Sequence, residues 1–196
     1  MPITRAITAL LPMKGYSERV PNKNMRMFAG RPLYHCIAGT LENSDYIKTI
    51  IINTDSDVIA ADARDNFSKV VIHSRPEAIC GDFVPMNAII AHDLQKADGE
   101  HFIQTHCTNP CLTKPTLERA IDQYFALLDT YDSLFSVTKL QTRLYWDANR
   151  PINHNPRELL RTQDLPPVYE ENSNIYIFSA SSFRNAGKQR IGLKAQ

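Results

Sequence analysis

The chain has 196 residues, 43% of them hydrophobic, so it is long enough for one globular domain with a sizeable core. Its 22 Lys and Arg residues nearly balance 21 Asp and Glu residues, which argues against nucleic acid as the main partner, because polyanion-binding proteins usually carry a basic excess. No apolar run approaches the roughly 18 residues that span a membrane, and the first residues lack the small-residue cleavage site of a secretory signal, so we expect a cytoplasmic protein without a membrane partner.

Short apolar runs alternate along the chain with longer stretches of helical periodicity. In chain order we predict strands at 7–11, 49–53, 70–73, 101–104, 133–138 and 173–178, and helices at 33–41, 56–66, 86–97 and 114–128. Ser56 suits the N-cap of the second helix, and Pro115 suits the first position of the fourth. The alternation predicts one α/β domain over 1–196 with a mainly parallel sheet. A segment at about 139–170, rich in Pro, Asn and Arg, is expected to leave the core as an excursion.

Ligands of such sheets bind beyond the carboxyl ends of the strands. The loops expected at that edge are 12–24, 53–56, 74–85, 105–113 and the turn after Thr138. We therefore expect the functional residues in these loops.

The loop 12–24 carries three cations, Lys14, Arg19 and Lys23, directly after the first predicted strand. Converging cations can bind a triphosphate or a carboxylate, with Arg as a planar fork and Lys as a point charge. Gly15 would let backbone N–H groups approach the anion. A solvated basic loop is the alternative interpretation. The P-loop and dinucleotide glycine patterns are absent, which disfavours P-loop ATP hydrolysis and nicotinamide or flavin enzymes.

The four cysteines contain one close pair, where a four-cysteine zinc site usually has two. A disulfide framework is uncommon in a chain of this length without a secretory signal. We expect buried free thiols at Cys36, Cys80, Cys107 and Cys111.

Five short motifs follow one another in an order that is typical of one enzyme family. They are Pro21-Asn22-Lys23-Asn24, Ile52-Asn53-Thr54-Asp55, Arg75-Pro76-Glu77 followed by Asp82, Gln104 followed by Thr108-Asn109-Pro110, and Asn174-Ile175-Tyr176-Ile177. Over most of its length the chain thus resembles the CMP-N-acylneuraminate synthetase family. The resemblance implies a three-layer Rossmann-like sheet of the nucleotide-diphospho-sugar transferase type. It also implies transfer of CMP from CTP to an acidic nine-carbon sugar of the sialic-acid type.

For the nucleotide, the resemblance implies that the three loop cations hold the CTP phosphates and the leaving pyrophosphate. Asn24 would bind near the α-phosphate or ribose, or would cap a turn. Arg75 would bind the cytosine carbonyl, with Asp82 in the turn that frames the base, unless Arg75 pairs with Glu77 or Asp82 for structure. Asp55 is expected to cap the helix that begins at Ser56.

For the sugar, the resemblance implies contacts from Gln104, His106, Arg161 and Tyr176, with Arg161 reaching across a homodimer interface in the excursion. Arg143 or Arg157 could replace Arg161 as the partner of the sugar carboxylate. His106 could instead be a buried, hydrogen-bonded histidine, and Tyr176 could belong to the core.

Two departures from the family shape these expectations. The sequence Gln104-Thr105-His106 lacks the Asp of CMP-KDO synthetases, which favours the acylneuraminate branch, and His106 indicates that the sugar differs from ordinary N-acetylneuraminate. Family members continue into an Asp-x-Asp strand that binds magnesium, whereas this sequence ends at Gln196, so we expect it to be incomplete and its metal ligands are unknown. The alternatives are a CMP-KDO or other sugar-acid cytidylyltransferase, or a nucleotide-binding relative without catalysis.

Overall fold

The computed structural model describes residues 5–196, which form two compact units. Of these residues, one unit contains 5–135 together with 174–196, and the other contains 136–173. Within 5–196, no helix is both long and apolar enough to cross a bilayer.

Ten strands and five helices make up the regular structure of these residues. The strands are β1 (Ile7–Leu10), β2 (Met27–Phe28), β3 (Arg31–Pro32), β4 (Ile47–Thr54), β5 (Val70–Ser74), β6 (His101–Gln104), β7 (Ser133–Leu140), β8 (Tyr145–Asp147), β9 (Arg150–Pro151) and β10 (Val168–Ser179). The helices are α1 (Leu33–Glu42), α2 (Asp57–Asn66), α3 (Met86–Leu94), α4 (Lys114–Ala126) and α5 (Ala180–Asn185). Short 3-10 turns lie at Lys23–Met25, Glu77–Ile79 and Thr162–Asp164.

The main sheet has six strands in the order β5-β4-β1-β6-β10-β7. The pairs β1–β4, β1–β6 and β4–β5 are parallel, whereas β10 runs antiparallel to β6, with Tyr176 opposite Gln104. The first strand lies inside the sheet, as predicted, and all six predicted strands form. The predicted mainly parallel α/β fold is therefore confirmed.

Two apolar clusters cover the two faces of this sheet, because successive strand residues point to opposite sides. Ala9 and Ile103 belong to a cluster with residues of α1, α2 and α4. Their neighbours Leu10 and Phe102 belong to a second cluster with residues of α3 and α5. Helices on both faces of one sheet give the three layers that the resemblance implied.

The helix boundaries agree with the predictions apart from a few residues at their ends. Ser56 is the N-cap of α2, accepting a hydrogen bond from Ile59 N at 3.4 Å. Pro115 lies in the first turn of α4. Helix α3 ends at Leu94, three residues before the predicted Ala97. Helix α5, with a capping box formed by Ser179 and Ser182, was not predicted.

The unit 136–173 is organised around a buried polar side chain. Asn153 is 8% exposed, and its Nδ2 donates to Thr142 O at 2.8 Å and to Pro166 O at 3.0 Å. Its Oδ1 accepts from Leu144 N at 3.1 Å. The unit also contains the β8–β9 hairpin. It includes the predicted excursion 139–170, whose use in dimerisation stays a prediction.

Candidate active site

A cavity of about 180 Å³ lies at the carboxyl edge of the parallel strands. It is lined by residues that follow β1, β5 and β6 and by the start of α3, including Lys14, Arg75 and His106. The chain after β1 stays in register with β4, since Met13 N donates to Asn53 O at 2.9 Å. The topology thus brings three of the predicted loops together at the edge where the fold class places ligands.

A second cavity of about 300 Å³ adjoins the first and shares Lys14, Lys23 and Asp82 with it. Arg19 also lines this second cavity, so the three predicted cations surround one space. We call them the cationic cradle. Lys14 Nζ forms an ion pair with the carboxylate of Asp82. Asp82 therefore lies at the predicted site, but as the partner of a cation.

Two side chains fix the backbone of the first loop. The Gly15 N–H donates to Asp55 Oδ1 at 2.6 Å, and Asn24 Nδ2 donates to Lys14 O at 2.9 Å. Asn24 Oδ1 accepts in turn from Cys107 Sγ at 2.7 Å. The prediction that Asp55 caps α2 is wrong, because Ser56 caps that helix while Asp55 holds the loop.

Asn24 is only 4% exposed, although it borders the first cavity. Both ends of its amide are bound, one to the Lys14 backbone and the other to Cys107, so its first role is to hold Lys14 in place. Its second N–H is the group that could reach a nucleotide, and that contact stays a prediction.

Arg75 enters the wall of the first cavity from the end of β5. Its Nε donates to Asn53 Oδ1 at 2.7 Å, and its Nη2 donates to Asn53 O at 2.8 Å. The alternative in which Arg75 pairs with Glu77 or Asp82 is therefore wrong. Burial lowers the pKa of Arg75, and the charge of Asp55 acts in the opposite direction. The guanidinium has five N–H groups, so three remain beyond the two bonds to Asn53.

His106 lies beside Lys23 and Asn24 in the lining of the first cavity. Its Nε2 is 3.3 Å from Gln104 Nε2. Burial, followed by the charges of Arg190 and Lys23, lowers the pKa of His106 from 6.5 to about 4. His106 is therefore neutral at pH 7 and can offer a hydrogen bond to a sugar, but no positive charge to a carboxylate.

Gln104 and Tyr176 require a correction, because both are 0% exposed. Gln104 Oε1 accepts from Arg190 Nη1 at 2.5 Å. The Arg190 guanidinium carbon lies 3.6 Å from the centre of the Tyr176 ring. Both residues contact Arg190. Because neither has exposed surface, the predicted direct contacts with a sugar are not available to them in this structure.

Arg161 belongs to the unit 136–173, where its side chain is 73% exposed. Its guanidinium binds the Asp164 carboxylate through two N–H groups, at 2.7 and 3.2 Å. Arg143, one of the two alternatives, donates to Leu160 O. A carboxylate ligand of Arg161 would have to compete with Asp164, and its role in sugar binding stays a prediction.

The cysteines form no disulfide with one another. All four are free thiols, with Cys36 and Cys107 buried and Cys111 exposed, so the expectation of burial is wrong for Cys111. Burial raises the pKa of Cys107 to about 11. Its thiol is therefore protonated at neutral pH and acts as a hydrogen-bond donor to Asn24.

Within 5–196, the acids at the edge of the sheet are engaged by other protein groups and form no magnesium site by themselves. Magnesium prefers carboxylate oxygens together with phosphate and water. The two acids at the edge of the sheet, Asp55 and Asp82, are bound to Gly15 N and to Lys14. Within 5–196, no group of three His, Cys, Asp or Glu residues comes close enough to hold a metal ion.

Sequence patterns assigned no role to three residues around the site: Asn53, which belongs to one of the five motifs, Asp93 and Arg190. Arg190 appears in the sequence only as part of Arg190-Ile191-Gly192, far from the predicted loops. Asn53 ends a buried apolar run at the carboxyl edge of the sheet. A polar residue at this position is the sequence feature that could have indicated a role at the site. Asp93 gave no signal, because an acid inside an amphipathic helix ordinarily faces solvent.

Comparisons with known proteins identify the family. A family model described as Cytidylyltransferase matches residues 8–191. N-acylneuraminate cytidylyltransferase A of Danio rerio is 28% identical over 88% of this chain and 41% of the relative. CMP-N,N'-diacetyllegionaminic acid synthase of Legionella pneumophila is 27% identical over 89% of this chain and 78% of the relative.

A solved structure, that of CMP:2-keto-3-deoxy-manno-octonic acid synthetase complexed with CTP, has the same fold. It superimposes with a TM-score of 0.70 at 12% identity, over 93% of this chain and 78% of that chain. The chain spans 41% and 42% of the length of the N-acylneuraminate cytidylyltransferases of Danio rerio and Oncorhynchus mykiss. Since the family model covers residues 8–191 of 196, the chain belongs to the cytidylyltransferase family.

Proposed function

We propose that this chain transfers CMP from CTP to an acidic sugar of the nonulosonic type and releases pyrophosphate. The observation that carries the proposal is the union of two cavities, one lined by three cations and the other by Arg75. Together they offer a place for a triphosphate next to a place for a base. The relatives support the same reaction, since their names are those of an N-acylneuraminate cytidylyltransferase and a CMP-N,N'-diacetyllegionaminic acid synthase.

The cationic cradle would act on the leaving group. The sugar hydroxyl oxygen forms a bond to the α-phosphorus, the bond from that phosphorus to the pyrophosphate oxygen breaks with its electron pair, and the hydroxyl proton passes to solvent. Negative charge therefore grows on the pyrophosphate during the step. Cations fixed there stabilise the transition state more than the ground state. Lys14 would exchange Asp82 for a phosphate oxygen when CTP binds.

Arg75 would select the base. Cytosine presents a carbonyl oxygen, and a guanidinium N–H bonds strongly to such an acceptor. Backbone groups of residues 80–83 lie at the same cavity and could complete the contact to the remaining edge of the base, since Gly81 and Asp82 line it. An adenine or guanine ring is larger than cytosine, which disfavours ATP and GTP, and the match to the cytidylyltransferase family favours CTP over UTP.

The sugar would lie near His106, whose neutral ring suits a hydroxyl better than a carboxylate. The carboxylate needs a cation, and Arg161 remains the proposed partner, with Arg143 and Arg157 as alternatives. We extend the proposal to a homodimer formed through 136–173. Three large apolar side chains of that unit support it: Leu159 is 94% exposed, Trp146 70% and Tyr169 58%. We also propose a cytoplasmic location, where CTP is available.

Pyrophosphate release tests the proposal. The chain is incubated with each of the four nucleoside triphosphates and a panel of sugar acids that includes N-acetylneuraminate and KDO, with and without magnesium. We expect release only with CTP and a nine-carbon acid. Release with KDO alone would instead favour the KDO branch. CTP binding without release for any sugar would identify a nucleotide-binding relative, and no binding of CTP would overturn the proposal.

A further inference from the structure

A chain of buried polar groups runs from the first cavity into the protein behind Arg75. Arg75 binds Asn53, and Asn53 Nδ2 donates to Asp93 Oδ1 at 2.6 Å. Asn53 is 0% exposed and Asp93 is 1% exposed. Asp93 lies on α3, 18 positions along the chain from Arg75. The proposed reaction uses neither Asn53 nor Asp93.

The Asp93 carboxylate determines which way the Asn53 amide faces. An ionised carboxylate only accepts hydrogen bonds, so it must meet the NH₂ end of the amide. The carbonyl end of Asn53 is thereby turned to Arg75, whose N–H groups only donate. The opposite orientation would set NH₂ against guanidinium and leave Asp93 without this donor. Either buried mismatch would be unfavourable.

Two histidines contact the same carboxylate oxygen that accepts from Asn53. His73 Nδ1 lies 2.9 Å from Asp93 Oδ1, and His92 Nδ1 lies 3.5 Å from the same oxygen. His92 Nδ1 also lies 3.2 Å from Asn53 Nδ2. Because these contacts join α3 to β4 and β5, the carboxylate is fixed in place. A buried charge with several partners is the arrangement that fixes the geometry of its neighbours.

We infer that Asp93 is a positioning residue, which orients the Arg75 guanidinium toward the base through the Asn53 amide. This inference rests on the proposed function, in which Arg75 contacts the cytosine of CTP. The two bonds from Asn53 engage Nε and Nη2 of Arg75, and both depend on the position of one asparagine. Displacing that asparagine moves the remaining N–H groups, whereas the cationic cradle lies on a different loop.

The inference predicts a selective loss of affinity for the base. Asp93→Leu removes the acceptor, and we expect CTP binding to weaken roughly 10- to 100-fold, as for other displaced positioning groups. Binding of bare pyrophosphate should change less than about twofold, a level close to ordinary additivity error. Asp93→Asn keeps an acceptor at the same place, so it should stay near the wild-type affinity. Isothermal titration calorimetry with CTP and with pyrophosphate measures both quantities.

If Asp93→Leu does not fold, exchanging the side chains at positions 53 and 93 tests the same relay, which is the chain of hydrogen bonds from Arg75 through Asn53 to Asp93. Asn53→Asp places a second carboxylate against Asp93 and should weaken CTP binding. The double variant Asn53→Asp with Asp93→Asn exchanges the two groups, so that the carboxylate at position 53 accepts from Arg75 and the amide at position 93 donates to it. We expect the double variant to recover CTP binding at unchanged pyrophosphate binding.

The control is Asp62→Leu, which removes a carboxylate bonded to Tyr34 and His35 away from both cavities. It should lower stability without changing the ratio of CTP to pyrophosphate affinity. Equal losses for both ligands in Asp93→Leu, or unchanged CTP binding in it, would overturn the inference. If Arg75→Ala itself leaves CTP binding unchanged, the proposed role of Arg75 fails instead, so the two failures are distinguishable.

Discussion

Lys23 borders both cavities, and in the first of them it lies beside His106. Its charge contributes to the lowered pKa of His106. Lys23 therefore borders both the space proposed for the phosphates and the space proposed for the sugar. This position makes it the most informative cation to remove.

We expect Lys23→Ala to lower turnover by about two to three orders of magnitude. Removing one donor that stabilises a developing anion costs roughly 3–4 kcal/mol in other enzymes, at about 1.36 kcal/mol per tenfold. Lys48→Ala is the control, because Lys48 is exposed near the amino end of β4, at the opposite edge of the sheet. Steady-state pyrophosphate release compares the two variants with the wild type. A near-normal rate for Lys23→Ala would contradict its proposed role in stabilising the leaving group.

His106 makes stability depend on pH in a definite window. The pKa of His106 falls to about 4 in the folded chain from an ordinary 6.5. Below pH 6.5 the unfolded chain takes up this proton and the folded chain does not, so the free energy of unfolding decreases as pH falls from 6.5 toward 4. His101, whose pKa burial also lowers, acts in the same direction.

We expect His106→Gln to flatten part of this decrease, since glutamine does not titrate. The difference in slope should reach at most about 1.4 kcal/mol per pH unit for one proton. Urea unfolding of both proteins at about pH 7, 5.5 and 4.5, a range that brackets the titration of histidine, measures the difference in slope. Both proteins keep His101, so its contribution is the same in the two curves. Parallel curves for the two proteins would show that His106 is protonated as easily in the folded state as in the unfolded chain.

At the residue scale, the sequence predicts the groups that are close along the chain. Lys14, Arg19 and Lys23 lie on one loop, so their convergence needs only that loop to fold back. The relay of Asn53, Asp93 and Arg75 joins a strand end, a helix and another strand end. Its pairing depends on tertiary packing, which patterns along one sequence do not encode.

At the scale of elements, the first loop depends on close packing against the start of α2. A Cβ at Gly15 would lie 2.9 Å from Ser56 Cβ and 3.5 Å from Asp55 Oδ1. Gly15 is therefore needed for the approach of the loop and not for an unusual backbone angle. The same approach sets the 2.6 Å bond from Gly15 N to Asp55.

We expect Gly15→Ala to destabilise the chain by about 1–3 kcal/mol, a common cost of overpacking, and to weaken CTP binding as Lys14 moves. Ser56→Gly removes the atom that collides and costs only a few tenths of a kcal/mol as an N-cap change. The double variant should therefore recover most of the loss. Urea denaturation measures stability, and a Gly15→Ala protein as stable as the wild type would show that the loop moves aside freely.

The elements that the sequence predicted are those with enough residues to display a period. The run Thr49–Asn53 is rich in β-branched residues, and the strand there extends to Ile47–Thr54. Strands β2 and β3 have two residues each and are joined through Ala29 and Gly30, with φ of 49° and 82°. Helix α5 has six residues. Segments this short contain no full period, so pattern analysis passes over them.

At the scale of the whole molecule, the two compact units differ in what stabilises them. The unit with the sheet has two apolar clusters, which hydrophobic periodicity predicts. The unit 136–173 contains the hydrogen bonds of Asn153 and few buried apolar residues, such as Leu165 at 4% exposure. A polar centre produces no periodic pattern of apolar residues. The sequence therefore indicated this unit only as an interruption in the alternation of predicted strands and helices.

The large exposed apolar side chains of 136–173 lead to the last prediction. Burying a leucine stabilises an interface by roughly 1.5–3 kcal/mol, and an unpaired carboxylate in its place costs more. Leu159→Asp should therefore shift a wild-type dimer to monomer at micromolar concentration in sedimentation equilibrium. Leu193→Asp is the control, because Leu193 is 75% exposed and lies outside this unit. CTP binding should survive in Leu159→Asp, since the residues that line both cavities belong to the other unit. A monomeric wild type, or a Leu159→Asp dimer as tight as the wild type, would contradict the proposed interface.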